Sequence, residues 1–150
     1  MKFIVDAMLG RLATWLRLLG HDVLYARNLA DRRLIRLAQE EGRTIITRDT
    51  GIVRQKSARK CIFISSDHVI NQLAEMKQLL EPVENPLPRR CARCNSELES
   101  VDKAENIQDC VPDYIYHTHH RFQRCRTCGK VYWEGSHYRH MKETVQQALR

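Results

Sequence analysis

The chain has 150 residues, 43% hydrophobic and 29% charged, with six glycines and four prolines. This composition suits one domain, or a domain with a small added module, and excludes collagen-like, low-complexity and largely disordered chains. Lysine and arginine number 25 against 18 aspartates and glutamates, a formal charge of +7 that fits a polyanionic partner or serves solubility alone. Arg11, Arg17 and Asp22 break the longest apolar runs short of the roughly 20 residues a membrane span needs, and Asp6 interrupts the first run too early for a signal-peptide core. No membrane association and a cytoplasmic location are expected.

In chain order, Lys2-Phe3-Ile4-Val5-Asp6 reads as a buried strand. From Met8, the residues Leu9, Leu12, Ala13, Leu16 and Leu19 follow helical spacing, with Gly20 placed to end the helix. Asp22–Ala26 is a second strand. A helix follows from about Asp31, carrying Leu34, Ile35, Leu37 and Ala38 and stopping at Gly42. Thr44–Thr47 is a third strand, 50–58 contains a short helix, and Cys61-Ile62-Phe63-Ile64 is a fourth strand. A helix over about 68–80 turns Val69, Leu73, Met76 and Leu80 inward. This alternation predicts an α/β domain over 1–80 with a mainly parallel sheet covered on both faces.

The stretch 81–88 holds three of the four prolines and cannot continue a helix, so it is a stiff connector to a module over 89–150. That module carries Cys91-Ala92-Arg93-Cys94 and Cys125-Arg126-Thr127-Cys128. A two-residue spacing turns both sulfurs of a knuckle toward one tetrahedral ion, and the second knuckle completes the shell. Two disulfides are the alternative, disfavoured in the cytosol. Structural zinc on Cys91, Cys94, Cys125 and Cys128 is therefore expected to supply much of the module's folding energy. His117, His119 and His120 lie between the knuckles as surface or RNA-facing residues. Cys61 reads as a small core residue, and Cys110 has no partner at motif spacing. Val131-Tyr132-Trp133 reads as a strand, after which Ser136 is placed to cap a terminal helix running toward Leu149.

Ligands of open parallel sheets bind beyond the carboxyl ends of the strands. Asp6 ends the first strand, Asp31 opens the helix after the second, and Asp49 lies just past the third, so the topology brings three carboxylates to one edge. Asp31 has the alternative of a helix cap and Asp49 that of a turn residue. Asp6 ends an apolar strand, where a carboxylate needs a partner. Converging carboxylates need a cation, and hard oxygens without histidine or cysteine favour Mg²⁺ or Mn²⁺. Such ions activate water for phosphodiester hydrolysis. Arg11 and Arg48 are placed to hold flanking phosphates, whereas Arg17, Arg32, Arg33 and Arg36 read as solvated helix positions and Trp15 as partly buried. Trp133, His137, Tyr138 and Arg139 are able to stack on bases and hold phosphates, the alternative being that Trp133 and Tyr132 pack the two parts together.

The stretch from Asp6-Ala7-Met8-Leu9-Gly10-Arg11 to Gly20, together with Gly42-Arg43-Thr44-Ile45-Ile46-Thr47-Arg48-Asp49, resembles the mut-seven C-terminal RNase family, a branch of the PIN-like nucleases. Arg90–Asn95, Cys125–Cys128 and Val131-Tyr132-Trp133-Glu134-Gly135-Ser136-His137 resemble its appended zinc ribbon. The resemblance implies a PIN-like three-layer α/β/α domain cutting RNA with Mg²⁺ or Mn²⁺, with Asp6, Asp31 and Asp49 as its acids. The additional acid that PIN nucleases carry on an intervening helix has no counterpart here, because Glu40 and Glu41 sit at the wrong end of theirs. The expected function is a metal-dependent ribonuclease, with RNA as substrate and a ribosome or protein partner possible. The alternatives are a non-catalytic RNA- or ribosome-binding zinc-ribbon protein and, more remotely, a toxin-like nuclease paired with an antitoxin.

Overall fold

The computed structural model describes residues 1–82, 84 and 87–150, so the expected connector over 81–88 falls outside the described residues at Val83, Asn85 and Pro86. The first part runs β1 (Lys2–Asp6), α1 (Gly10–Leu18), β2 (Asp22–Ala26), α2 (Asp31–Glu41), β3 (Thr44–Thr47), α3 (Thr50–Val53), β4 (Cys61–Phe63) and α4 (Val69–Glu75). The second runs β5 (Leu98–Val101), α5 (Asp113–Thr118), β6 (Phe122–Cys125), β7 (Val131–Tyr132) and α6 (Ser136–Ala148).

The four strands of the first part are parallel, in the order β2-β1-β3-β4. Side chains alternate across a strand, so Phe3 and Val5 face one side of the sheet and Ile4 the other. The first side packs with Leu9, Leu12 and Leu16 from the turn and helix after β1, Leu73 of α4 and Val145 of α6. The opposite side packs with Leu34, Ile35 and Ala38 of α2 and Ile52 of α3. Gly42 stops α2 in a left-handed conformation (φ 64°) that a side chain would strain. β5, β6 and β7 form a small antiparallel sheet around Phe122, Ile107 and Val131.

Several expectations change in the three-dimensional structure. The helix expected from Met8 opens as a 3₁₀ turn over Ala7–Leu9 before α1. α4 ends at Glu75 and gives way to i→i+3 turns from Leu73 to Leu79, while Met76 and Leu80 remain buried. Ser136 is the first residue of α6 and makes no side-chain cap bond, Gly135 taking the flanking position. Arg17 is not a solvated position: its guanidinium donates to the carbonyls of Val23, Ala92 and Arg93, tying α1 to β2 and to the first knuckle. Beside it, the amide of Val23, on the outer edge of the sheet, donates to Asn95 Oδ1 (2.8 Å), and Asn95 Nδ2 donates to Asp22 Oδ1 (2.8 Å). Residues 92–95 are therefore tied to the open edge of β2, and α6 completes the core of the first part.

Candidate active site and metal centre

β1 continues through α1 to β2 on one side, after which α2 carries the chain back across to β3 on the other. The strand order thus reverses between the carboxyl ends of β1 and β3, where open parallel sheets hold their ligands. Asp6 ends β1 at this point, only 6% exposed. Its Oδ1 accepts the Met8 amide (2.9 Å), and its Oδ2 accepts the Arg48 amide (2.9 Å) and the Thr47 hydroxyl. The Thr47 oxygen in turn accepts the Asp49 amide (2.9 Å). One wholly buried threonine hydroxyl therefore links both acids. Asp49 Oδ1 caps α3 through the Gly51 amide (2.7 Å), while Oδ2 has no donor among the described residues.

Asp31 is the exposed first residue of α2 and makes no cap bond, Ala30 occupying the cap position. The pairing of Asp6 with Ala26 puts the end of β2 beside Asp6, five residues before Asp31. The oxygens of the three acids do not form a set within 4.8 Å of one another; among the described residues only the four cysteines do. Arg11 is exposed on the first turn of α1 with no partner among the described residues. Arg48 meets Asp6 through its backbone, its guanidinium donating to the Ser65 carbonyl (3.3 Å). His137 and Arg139 are exposed at the start of α6, and Trp133 is half-buried against the core of the small sheet. Sequence reasoning missed Thr47 and Tyr25 as positioning residues. The Tyr25 hydroxyl donates to the Ala7 carbonyl (2.7 Å) and pins the turn after Asp6; a side chain at Gly10 would meet that oxygen at 2.7 Å.

The cysteine centre is built twice over by the same local fold. In each knuckle, the residue after the second cysteine is left-handed, Asn95 (φ 63°) or Gly129 (φ 77°), and its amide donates to the carbonyl of Cys91 (2.9 Å) or Cys125 (2.8 Å). None of the six cysteines is in a disulfide. Cys91 Sγ and Cys128 Sγ lie 3.7 Å apart, far beyond a disulfide bond. A tetrahedral ion with sulfurs at about 2.3 Å sets them about 3.8 Å from each other. Burial and the neighbouring sulfurs push Cys94 up to about 12, whereas burial of Cys125 is outweighed by Ser96 and the backbone amides of Cys128 and Thr127, which bring it to about 6. Four sulfurs this close resist ionising together, and a divalent cation removes that conflict. The cluster is thus able to hold a metal such as zinc. His119 is engaged with Thr118 and the Glu134 carbonyl and His117 pairs with Asp113, so neither joins this set, nor does His120. Cys61, the first residue of β4, packs half-buried against the α2 side of the sheet, and Cys110 is exposed.

A mainly parallel α/β protein with Asp6 and Asp49 bonded around the reversal of its strand order, and with a four-cysteine cluster able to hold a metal, is the class that these features define. A family model described as Mut7-C RNAse domain matches residues 1–145, and the chain belongs to that family. Membership gives it a nuclease or RNA-related role. No curated protein and no solved structure matches the chain. Among the described residues, no helix is long and apolar enough to cross a membrane.

Proposed function

We propose that this protein is a ribonuclease with a PIN-like three-layer domain, hydrolysing RNA phosphodiester bonds at the carboxyl edge of its parallel sheet. In this reading Asp6, Asp31 and Asp49 hold Mg²⁺ or Mn²⁺, and Cys91, Cys94, Cys125 and Cys128 hold structural Zn²⁺ in a ribbon. The observation that carries it is the linkage of Asp6 and Asp49 through Thr47 at the strand-order reversal of a Mut7-C family chain. The donor chemistry suits a hard cation, since Asp6 Oδ1 accepts one hydrogen bond, Asp49 Oδ2 none and Asp31 none among the described residues, while the spacing of the three acids requires them to draw together on binding it. A divalent ion there supplies Lewis-acid charge to the phosphoryl group.

The chain's own residues do the rest. Thr47 and the amides of Met8 and Arg48 fix the rotamer of Asp6, the α3 cap fixes Asp49, and unpartnered Arg11 meets a flanking phosphate. The test incubates purified protein with labelled single-stranded and structured RNA in Mn²⁺, Mg²⁺ or chelator, beside Asp6→Asn. Metal-dependent cutting that the variant loses by about 100-fold or more is expected. Cutting indifferent to both changes overturns the reading, and RNA retention without cutting favours a binding module.

A further inference from the structure

We infer that two adjoining clefts beside the acidic edge form one track for single-stranded RNA, a step that rests on the ribonuclease reading. The first cleft, about 310 Å³, lies between the start of α1, the start of α4 and α6. It begins at Met8, whose amide holds Asp6 Oδ1, so its inner end adjoins the acidic edge. Arg11, His68, His137 and His140 line it together with Asp67, which pairs with His68 (3.7 Å), and the side chains of Arg11, His137 and His140 have no hydrogen bond or ion pair among the described residues. Met8 and Ile70 also line it, 65% and 48% exposed. Cationic and imidazole groups beside bare apolar surface suit a ligand that is anionic along its backbone and flat and apolar on its bases.

The second cleft, about 280 Å³, lies between α1, β7 and α6, under Lys130, Trp133 and Tyr138. The Tyr138 hydroxyl is buried with no hydrogen-bond partner among the described residues, on a residue only 6% exposed. His137 and Met141 line both clefts, so the two adjoin. Each volume stands at the small end of the range for ligand pockets, ~300 Å³. Such spaces admit an unpaired nucleotide and exclude a duplex, and single strands bind by stacking on aromatic faces beside cationic groups. Residues 11 and 68 of the first part and 130, 133, 137 and 140 of the second thereby line one path from the acidic edge toward the cysteine cluster.

The chain has two tryptophans, and each lines one cleft, Trp15 the first and Trp133 the second. Trp133→Phe and Trp15→Phe therefore leave one reporter each. Zinc-loaded full chain, without added Mg²⁺ or Mn²⁺, is titrated with an eight-nucleotide oligouridylate, following tryptophan emission and anisotropy. Both reporters are expected to respond with one shared midpoint, and a blunt duplex of equal length to leave both unmoved. The surface variants His140→Ala and Lys130→Ala are expected to weaken octamer binding about three- to tenfold, enough to test the track should a tryptophan variant lose its fold. Octamer binding that leaves both reporters silent, or a duplex that moves them equally, overturns the track. Loss of the track with cutting still dependent on Asp6 leaves the ribonuclease reading standing. Responding reporters without any Asp6-dependent cutting retain the track as a binding site and remove the ribonuclease.

Discussion

Thr47 has no chemistry to offer a substrate, yet it decides where two acids stand. Thr47→Val leaves Asp6 Oδ2 with a single donor and removes the acceptor of the Asp49 amide, at a side chain that is wholly buried. A buried polar group stranded in this way costs about 1–3 kcal/mol. Calorimetry of Thr47→Val should show Tm lower by several degrees, at roughly 2–4 °C per kcal/mol for a chain of this size, and Thr47→Ser, which keeps the hydroxyl, should restore most of it. Activity in the Val variant should fall further than stability explains, because Asp6 is freed to rotate. The sequence exposes Asp6 and Asp49 by their position at strand ends. It hides Thr47, because a threonine at the end of a strand is ordinary until its hydroxyl is seen between two carboxylate-bearing residues.

His21 supplies a pH signature at the same scale. Burial, then the positive charges of the Met1 amino group and Arg90, lower it from its ordinary 6.5 to about 4. The folded state therefore prefers the neutral ring, and the unfolded chain binds the extra proton between these values. The stability that His21 contributes is present above pH 6.5 and is lost as pH falls toward 4. Denaturant midpoints measured across this window should fall less steeply in His21→Gln than in the parent chain. Equal slopes would remove His21 from the balance.

Among the elements, β2 shows most directly how the module and the sheet depend on each other. An edge strand presents unpaired amides, and here the Asn95 side chain takes up the amide of Val23 while the left-handed Asn95 backbone shapes the first knuckle. Asn95→Gly keeps that backbone conformation and deletes the bond. Hydrogen exchange at the Val23 amide should quicken by about tenfold or more, with the amides of β1 little changed. The first three strands and α2 are legible to the residue, because apolar runs end at Asp6, Ala26 and Thr47 and Gly42 closes the helix. β5, α5 and β6 are not. Leu98-Glu99-Ser100-Val101 and Phe122-Gln123-Arg124-Cys125 mix polar with apolar residues, since their small core shares its work with the cysteine centre. Arg17 misleads for a related reason: its helical position is solvent-facing by periodicity and becomes a clamp only once the knuckle docks on it.

For the whole molecule, the order of the sequence suggests two independent parts, and the packing joins them. The chain leaves the parallel sheet, builds the cysteine module and returns through α6, which lays Val145, fully buried, into the core with Phe3, Val5 and Leu12. Leu18 of α1 packs in turn against Cys91, Cys125 and Tyr132. Removing a cysteine ligand therefore acts beyond residues 89–150. On the zinc reading, metal release would free the Arg17 and Asn95 contacts on β2 and loosen the anchor from which α6 starts, so the first core would lose part of its cover. Cys91→Ser should lose the bound zinc and unfold in a single transition at lower temperature, reported alike by far-ultraviolet circular dichroism and by tryptophan emission. Val145→Ala, whose lost methyl groups cost about 1–3 kcal/mol, should lower the same single transition while one zinc per chain stays bound. Two separated transitions in Cys91→Ser, the later one matching the parent, would mean that the parallel domain stands without its module and that the return of α6 adds little to its stability.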